Sequence, residues 1–524
     1  MIRRFIAALT LFAAGCTTLA PHGTTVPHDT APATCETTTR FKILQINDVY
    51  KIEGLEGGQV GGLARVRTLR KLLESDGTPV YVMHGGDLMF PSVMSKYLDA
   101  RPMIDVMNML DGDASKFDTN LIVGLGNHEL DKSDDKVLLA RLKDSQFIWV
   151  ATNTLYCKAP DACEPFRVVG NPVSEVLQLD VGDKKIGVMG LLYPLSKSYA
   201  KSTDVIASAR DAFSAMNTDL TIAITHQDMP DDVRLVQELP GLDLVIGGHD
   251  HLFTQQQVGM TWITKADADA KSVIVYDVTI DGKGTMHTAP LRVVVDSTIA
   301  KDPQVDARVQ QWMATLSEKL GGNETIGMTK NLLEGVEPAV RGRETALGNL
   351  LTDVIREQMN TDVAVLNGGS IRINDNIPPG PISKYDMEGI FYYTNALVAV
   401  QVTGQQLLDM LRNSVSRVDA GDGRFLQVSG LRFNYHPRDG KFIVDPSDVE
   451  VGGKALDVNA TYSLGLIDYM YKQGKDDGYA LFADATRPPK INTDREADMR
   501  TVVETYIRAQ GTVTQALEGR IVRQ

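Results

Sequence analysis

Residues 121–131 read LIVGLGNHELD, an apolar, β-prone run that breaks off into Gly126, Asn127, His128, Glu129 and Asp131. The same grammar recurs four more times: KILQIND at 42–48, VYVMHGGD at 80–87, LTIAITH at 220–226 and LDLVIGGHDH at 242–251. Each run ends on a residue able to hold a metal: Asp48, Asp87, Asn127 with His128, His226, and His249 with His251. Strand ends in an open α/β sheet are where a fold collects side chains from distant sequence into one crevice. Carboxylates suit hard cations and imidazoles borderline ones, so the set predicts a two-metal hydrolase centre for Zn²⁺, Mn²⁺ or iron. A single histidine at a strand end is more often structural. Here five of nine histidines, His84, His128, His226, His249 and His251, fall at such ends, beside glycines that let backbone approach an ion.

Outward from these motifs, residues 41 to about 300 alternate apolar strands with helical stretches such as GLARVRTLRKLLES, the pattern of a layered α/β domain. A polar helical segment at 302–320 lies within an expected linker, 301–325. GNLLTDVIREQM and DVAVLNGG then begin a second α/β domain over 326–524. The chain of 524 residues is long enough for both cores. Its formal net charge of −14, with no Lys/Arg-rich run, argues against polymeric nucleic acid as a partner.

The start carries an address. Arg3 and Arg4 precede the apolar run Phe5 to Ala14 and then Gly15-Cys16, the layout of a bacterial secretory signal over 1–15. Ala-Ala-Gly-Cys at 13–16 resembles a lipobox, with Ala13 where such motifs favour Leu. The expectation is an exported lipoprotein of the periplasm or outer membrane, touching membrane only through a lipid on Cys16. Residues 16–40, rich in Thr and Pro, read as a flexible tether. Cys157 and Cys163 are either a disulfide of an oxidising compartment or free thiols.

NDVY at 47–50, GGD at 85–87, GNHELD at 126–131, THQ at 225–227 and GGHDH at 247–251 resemble, in order and spacing, the motif series of the calcineurin-like metallophosphoesterases. RGRETALGNLLTD at 341–353, NGGSIR at 367–372, RFLQVSGLRFNY at 424–435 and GKDDGYALF at 474–482 resemble the C-terminal domain of the 5′-nucleotidase family in bacteria. The resemblance implies a four-layer α/β/β/α metallophosphoesterase domain followed by an α/β substrate-binding domain.

The resemblance also implies roles. Asp87 would bridge two divalent cations, with Asp48 and His251 on one and Asn127, His226 and His249 on the other. His128 would be catalytic, oriented by Asp131, and a metal-bridging hydroxide would attack phosphorus. Tyr50 stands where the family usually has His; it is either a ligand, favoured by iron(III) on that side, or a nearby hydrogen-bonder. Arg341, Arg343 and Arg372 would receive phosphate or ribose, Asn367 the base, Phe425 and Tyr471 would clamp the base ring, and Asp477 would lie near the ribose hydroxyls. Lys475-Asp476 replaces the usual Gly-Gly before that last motif.

The expected activity is hydrolysis of nucleoside 5′-phosphates. The alternatives are a UDP-sugar hydrolase or 2′,3′-cyclic phosphodiesterase, a broad acid phosphatase with iron, and a non-catalytic nucleotide-binding surface lipoprotein.

Overall fold

A computed structural model describes residues 38–159, 161–166 and 173–524. The expected signal at 1–15, Cys16 and the tether through residue 37 lie outside the described residues. Thr39 and Arg40, expected in the tether, already belong to the first strand, because Thr39 and Arg40 register with Ile280 and Thr279 and Arg40 pairs with Asp277 at 2.9 Å.

Three strands that lead into motifs, Thr39–Ile46, Val80–His84 and Asp118–Gly124, run parallel and adjacent, with Phe147–Val150 next to the last of them, in an eight-stranded sheet. Ser272–Ile280 pairs antiparallel to the first of them. A second sheet of six strands places Lys184–Leu192, Leu220–His226 and Leu244–Gly248 side by side and parallel.

The two sheets face each other. Phe41, Ile43, Tyr81, Met83 and Ile122 from one meet Ile186, Ile222, Ile224 and Ile246 from the other in a shared core. Alternate residues Leu44, Ile46, Val80 and Val82 point the opposite way, under the helix Leu63–Glu74 and its neighbours. Helices Val205–Ala215 and Met229–Glu238 cover the outside of the second sheet. The layers are therefore α/β/β/α. Burial on both faces explains why the motif strands read as continuous apolar runs instead of alternating ones.

The polar helix Pro303–Lys319 starts at Asp302, whose side chain accepts from the Gln304 and Val305 N–H groups. It packs on this first unit through Val305, Val309 and Leu316, and Arg308 and Trp312 both donate to Asp105. The second unit is built on a five-stranded sheet in the order Leu426–Ser429, Val363–Asn367, Thr461–Ile467, Leu397–Thr403, Lys490–Ile491. The helix Ala346–Met359 lies on it, capped by the Thr345 hydroxyl accepting from the Gly348 N–H at 2.9 Å. Cys157 and Cys163 form a disulfide across a hairpin, S–S 2.05 Å, which decides between the two readings of that pair.

Candidate metal centre

All five motif loops leave their strands at one edge of the first unit and meet there. The approach is so close that two glycines are obligatory: a Cβ on Gly248 would sit 2.3 Å from the Gly85 carbonyl oxygen, and one on Gly126 would collide with the Asp87 carboxylate. Asp48, Asp87, His249 and His251 all adopt positive φ, between 53° and 83°. Non-glycine residues in that region carry strain that the surrounding fold must hold, and such strain gathers at functional sites.

Donor atoms of Asp48, Asp87 and His226 lie within 4.8 Å of one another. His226 Nε2 is 3.1 Å from Asp87 Oδ2 and 3.1 Å from Asn127 Oδ1. His251 Nε2 is 3.4 Å from Asp48 Oδ1. The His249 ring sits 5.1 Å from that of His226, and the His249 backbone N–H donates to Asp48 Oδ2 at 3.0 Å. The structure thus brings together Asp48, Asp87, Asn127, His226, His249 and His251.

Tyr50 joins them: its hydroxyl is 3.0 Å from Asp87 Oδ2, 3.2 Å from Asp48 Oδ1 and 3.1 Å from His251 Nε2. Burial, then the charges of Asp87 and Asp48, hold the phenol proton well above its usual range, so only a strongly acidic cation would displace it.

Two buried carboxylates facing each other repel, and this chain counters them with imidazoles. Burial opposes ionisation of Asp48, yet the hydrogen bond and charge of His251 hold it far below the usual carboxylate range. Burial would likewise lower His226, but Asp87 and Asp48 push it up to about 9; His251 is pushed up to about 10 against its burial by Glu337 and Asp48. These raised values reflect carboxylates with no cation beside them; a cation held there would take the imidazoles in their neutral form.

The ring geometry fits a metal. His226 Nδ1 donates to the Gly85 carbonyl at 2.7 Å and His251 Nδ1 to the Glu337 carboxylate at 2.7 Å, leaving each Nε2 aimed into the cluster. Two carboxylates, an amide oxygen and three imidazoles form a donor set suited to Zn²⁺, Mn²⁺ or iron.

His128 stands beside this set. Its Nδ1 is 2.9 Å from Asp131 Oδ2, its Nε2 is 3.9 Å from Asp87 Oδ2, and its backbone N–H donates to Asp87 Oδ1. Glu129, the residue between His128 and Leu130, is legible within GNHE but its part is not. Its buried carboxylate accepts from the N–H groups of Asp87, Leu88, Met89 and Gly126, binding two motif loops together. Burial and Asp87 push it up to about 6.

Facing the cluster is a cavity of about 1250 Å³ lined by both units, with Asp87, His128, His249 and His251 on one wall and Arg341, Asn367, Arg372 and Asp477 on the other. Three residues expected there are placed elsewhere. Arg343 turns to solvent and pairs with Glu334 at 2.6 Å, since the Arg341 end of this turn faces the cavity and Arg343 the outside. Phe425 is 0 % exposed within the core of the second unit and offers no ring face. Tyr471 packs towards Phe482, Arg487 and Lys490, its hydroxyl on the Pro488 carbonyl.

The aromatic rings that do line the cavity are Tyr393, with the Arg372 guanidinium 5.9 Å from its centroid, and Tyr469, whose hydroxyl donates to Asp477. Neither stands out in the sequence, because tyrosines within YYTN and DYMY carry no spacing that separates platform from core. Glu337, also unforeseen, could have been found only as the partner one helical turn before Arg341, with which it forms an ion pair.

Comparison with known proteins gives these observations a family. The sequence model described as calcineurin-like phosphoesterase matches residues 41–253, and that described as 5′-nucleotidase, C-terminal domain, matches residues 325–484. The snake venom 5′-nucleotidase of Naja atra is 25% identical over 517 residues, covering 88% of this chain and 93% of that one. The 5′-nucleotidase of Bos taurus is 25% identical over 512 residues, 88% of this chain and 85% of its own. The solved 5′-nucleotidase precursor from Thermus thermophilus shares the fold, with a TM-score of 0.73 at 24% identity over 92% of this chain and 99% of that one.

Proposed function

As a chain that joins a calcineurin-like phosphoesterase domain to a 5′-nucleotidase C-terminal domain, the protein belongs to the 5′-nucleotidase family and is a phosphoric ester hydrolase, and we propose that it is an exported, metal-dependent enzyme that hydrolyses nucleoside 5′-phosphates to nucleoside and phosphate. The observation that carries this reading is the meeting of three groups of residues in one cavity: the metal donors, the His128–Asp131 pair, and the arginines of the second unit.

In this proposal Asp48 and His251 would hold one divalent cation, Asn127, His226 and His249 would hold a second, and Asp87 would serve both. Tyr50 completes the Asp48 side, as ligand or as hydrogen-bond donor to Asp48 and Asp87. The cations, when bound, acidify water and neutralise charge on the phosphoryl oxygens. Arg341 and Arg372 orient the phosphate, guanidinium groups being matched to phosphate oxygens. His128, held by Asp131, carries a proton at Nε2 for the leaving oxygen of the sugar. Burial lowers its basicity, but the charge of Asp87 and the hydrogen bond of Asp131 raise it overall, which favours the protonated donor.

Asn367 and Asp477 line the far wall and would contact base and ribose; Tyr393 and Tyr469 supply the aromatic faces there. Ring stacking of this kind contributes roughly 1 to 3 kcal/mol per base. The cavity, about 1250 Å³, has room for nucleotide sugars as a second substrate class. Export rests on the Arg3 to Cys16 segment; among the described residues no helix is long and apolar enough to cross a membrane.

The test is phosphate release from nucleoside 5′-monophosphates, nucleotide sugars, 2′,3′-cyclic nucleotides and p-nitrophenyl phosphate, before and after chelation. Preferred turnover of the 5′-monophosphates, abolished by chelation and restored by Zn²⁺ or Mn²⁺, is expected. Equal turnover of p-nitrophenyl phosphate, or turnover indifferent to chelation, contradicts the proposal.

A further inference from the structure

The cluster of candidate ligands is not supported evenly. Among the described residues, the supports on the Asn127, His226 and His249 side come from the first unit: the Gly85 carbonyl orients His226, and Glu129 clamps the loops of Asp87 and Gly126. On the Asp48, Tyr50 and His251 side the support crosses to the second unit. Glu337 opens the short helix Glu337–Val340, its N–H donating to Asn374 Oδ1 at 3.0 Å. One of its carboxylate oxygens accepts from His251 Nδ1 at 2.7 Å, and the other pairs with Arg341 on the same helical turn.

This contact belongs to a continuous polar seam. Lys51, next to Tyr50, pairs with Asp375 at 3.0 Å, and Asp375 also accepts from the Glu56 N–H. Tyr385 donates to Glu53 at 2.5 Å, and Asn374 reaches Asp269, whose carboxylate caps the Tyr50 and Lys51 N–H groups. The loop that carries Asp48 and Tyr50 is thus braced against the second unit along its length.

We propose that Glu337 is a positioning residue for His251: a carboxylate delivered by the substrate-binding unit fixes the tautomer and ring angle of a ligand in the metallophosphoesterase unit, so that one of the two cation sites is complete only when the units are apposed. The inference rests on the ligand set proposed above and adds an asymmetry that set does not contain. A carboxylate on the far nitrogen of a ligating imidazole fixes its orientation and raises its basicity, and loss of such a partner weakens metal binding by roughly 10- to 100-fold. It also links substrate to metal, because Arg341, proposed above to orient the phosphate, pairs with the same carboxylate.

The experiment is titration of the chelator-stripped full chain with Zn²⁺ or Mn²⁺, without substrate, for wild type, Glu337→Ala, Glu337→Gln and Arg341→Ala. Wild type should show two binding events. Glu337→Ala should weaken one of them by roughly 10- to 100-fold and leave the other within about two-fold. Glu337→Gln keeps an acceptor for the His251 N–H and should fall between; being isosteric, it carries the test if the alanine variant does not fold. Arg341→Ala, which leaves Glu337 on His251, should raise KM for AMP and shift the affected metal affinity by less than Glu337→Ala does. Two wild-type events with neither altered in the Glu337 variants, or both weakened alike, overturns the positioning role and leaves the metal centre standing. A wild type that binds no second cation overturns the metal centre itself.

Discussion

His128 Nδ1 lies 2.9 Å from Asp131 Oδ2, both on the single turn that follows the Asp118–Gly124 strand, and this holds His128 Nε2 toward the cavity, 3.9 Å from Asp87. A proton donor for a leaving alkoxide needs that orientation more than it needs any metal contact. His128→Ala should lower kcat for AMP by roughly 10²- to 10⁴-fold while metal content per chain stays at the wild-type value. Asp131→Asn should lower it less, because the ring keeps a partner. Elemental analysis beside steady-state kinetics checks both; a His128→Ala enzyme that turns over normally, or that loses its metal, refutes the role.

The family resemblance makes Phe425 one face of a base clamp, and the structure makes it core. Phe425→Ala should therefore cost about 3 to 5 kcal/mol of stability, read as a lower urea midpoint, and should affect AMP and p-nitrophenyl phosphate alike. Tyr469→Ala should instead raise KM for AMP several-fold more than for p-nitrophenyl phosphate. A stable Phe425→Ala enzyme with a KM defect confined to nucleotides would reverse this assignment.

His84 is fully buried, its Nδ1 accepting the Gly86 N–H at 3.1 Å, so the neutral ring with its proton on Nε2 is the form that fits. Burial pushes it down to about 4 from the usual 6.5. Unfolded chains take up this proton below pH 6.5 and the folded protein does not until about 4, so the group's contribution is complete above 6.5 and is lost as pH falls towards 4. The loss amounts to about 3 kcal/mol. Denaturation of metal-free protein across that window should show a steeper decline for wild type than for His84→Gln, which cannot titrate; parallel curves would contradict it.

Glu129 ties the Asp87 and Gly126 loops together through four backbone N–H groups. Glu129→Ala strands those donors in a dry site, each at a cost of about 1 to 3 kcal/mol. The variant should unfold at lower denaturant and bind metal poorly even where it remains folded. Wild-type stability and metal content would exclude this bracing role.

The first unit is legible in the sequence because its signals are local: an apolar run buried on both faces, then a ligand where the strand ends. LIVGLGNHELD announces its own strand, turn and chemistry, and the α/β/β/α layering follows from strands such as KILQIND feeding Leu44 and Ile43 to opposite cores. What is not legible depends on orientation across units. Arg341 and Arg343 differ by two positions on one turn, and only packing decides that one meets the cavity and the other solvent. Phe425 lies within a family motif and Tyr471 just before one, but neither carries a residue-level mark of which way its ring faces. Glu337 reaches His251 from 86 positions away, a contact that no sequence period encodes.

Two cations held by Asp48, Asp87, Asn127, His226, His249 and His251 are the premise of the chemistry proposed for this protein, and metal counted per chain in the purified enzyme tests that premise most directly. Elemental analysis of wild type and Asp87→Asn, with AMP hydrolysis assayed on the same samples, should give two ions per wild-type chain and loss of both metal and activity in the variant. A wild-type enzyme active with no bound transition metal, or an Asp87→Asn variant that keeps its metal and its turnover, would contradict the account.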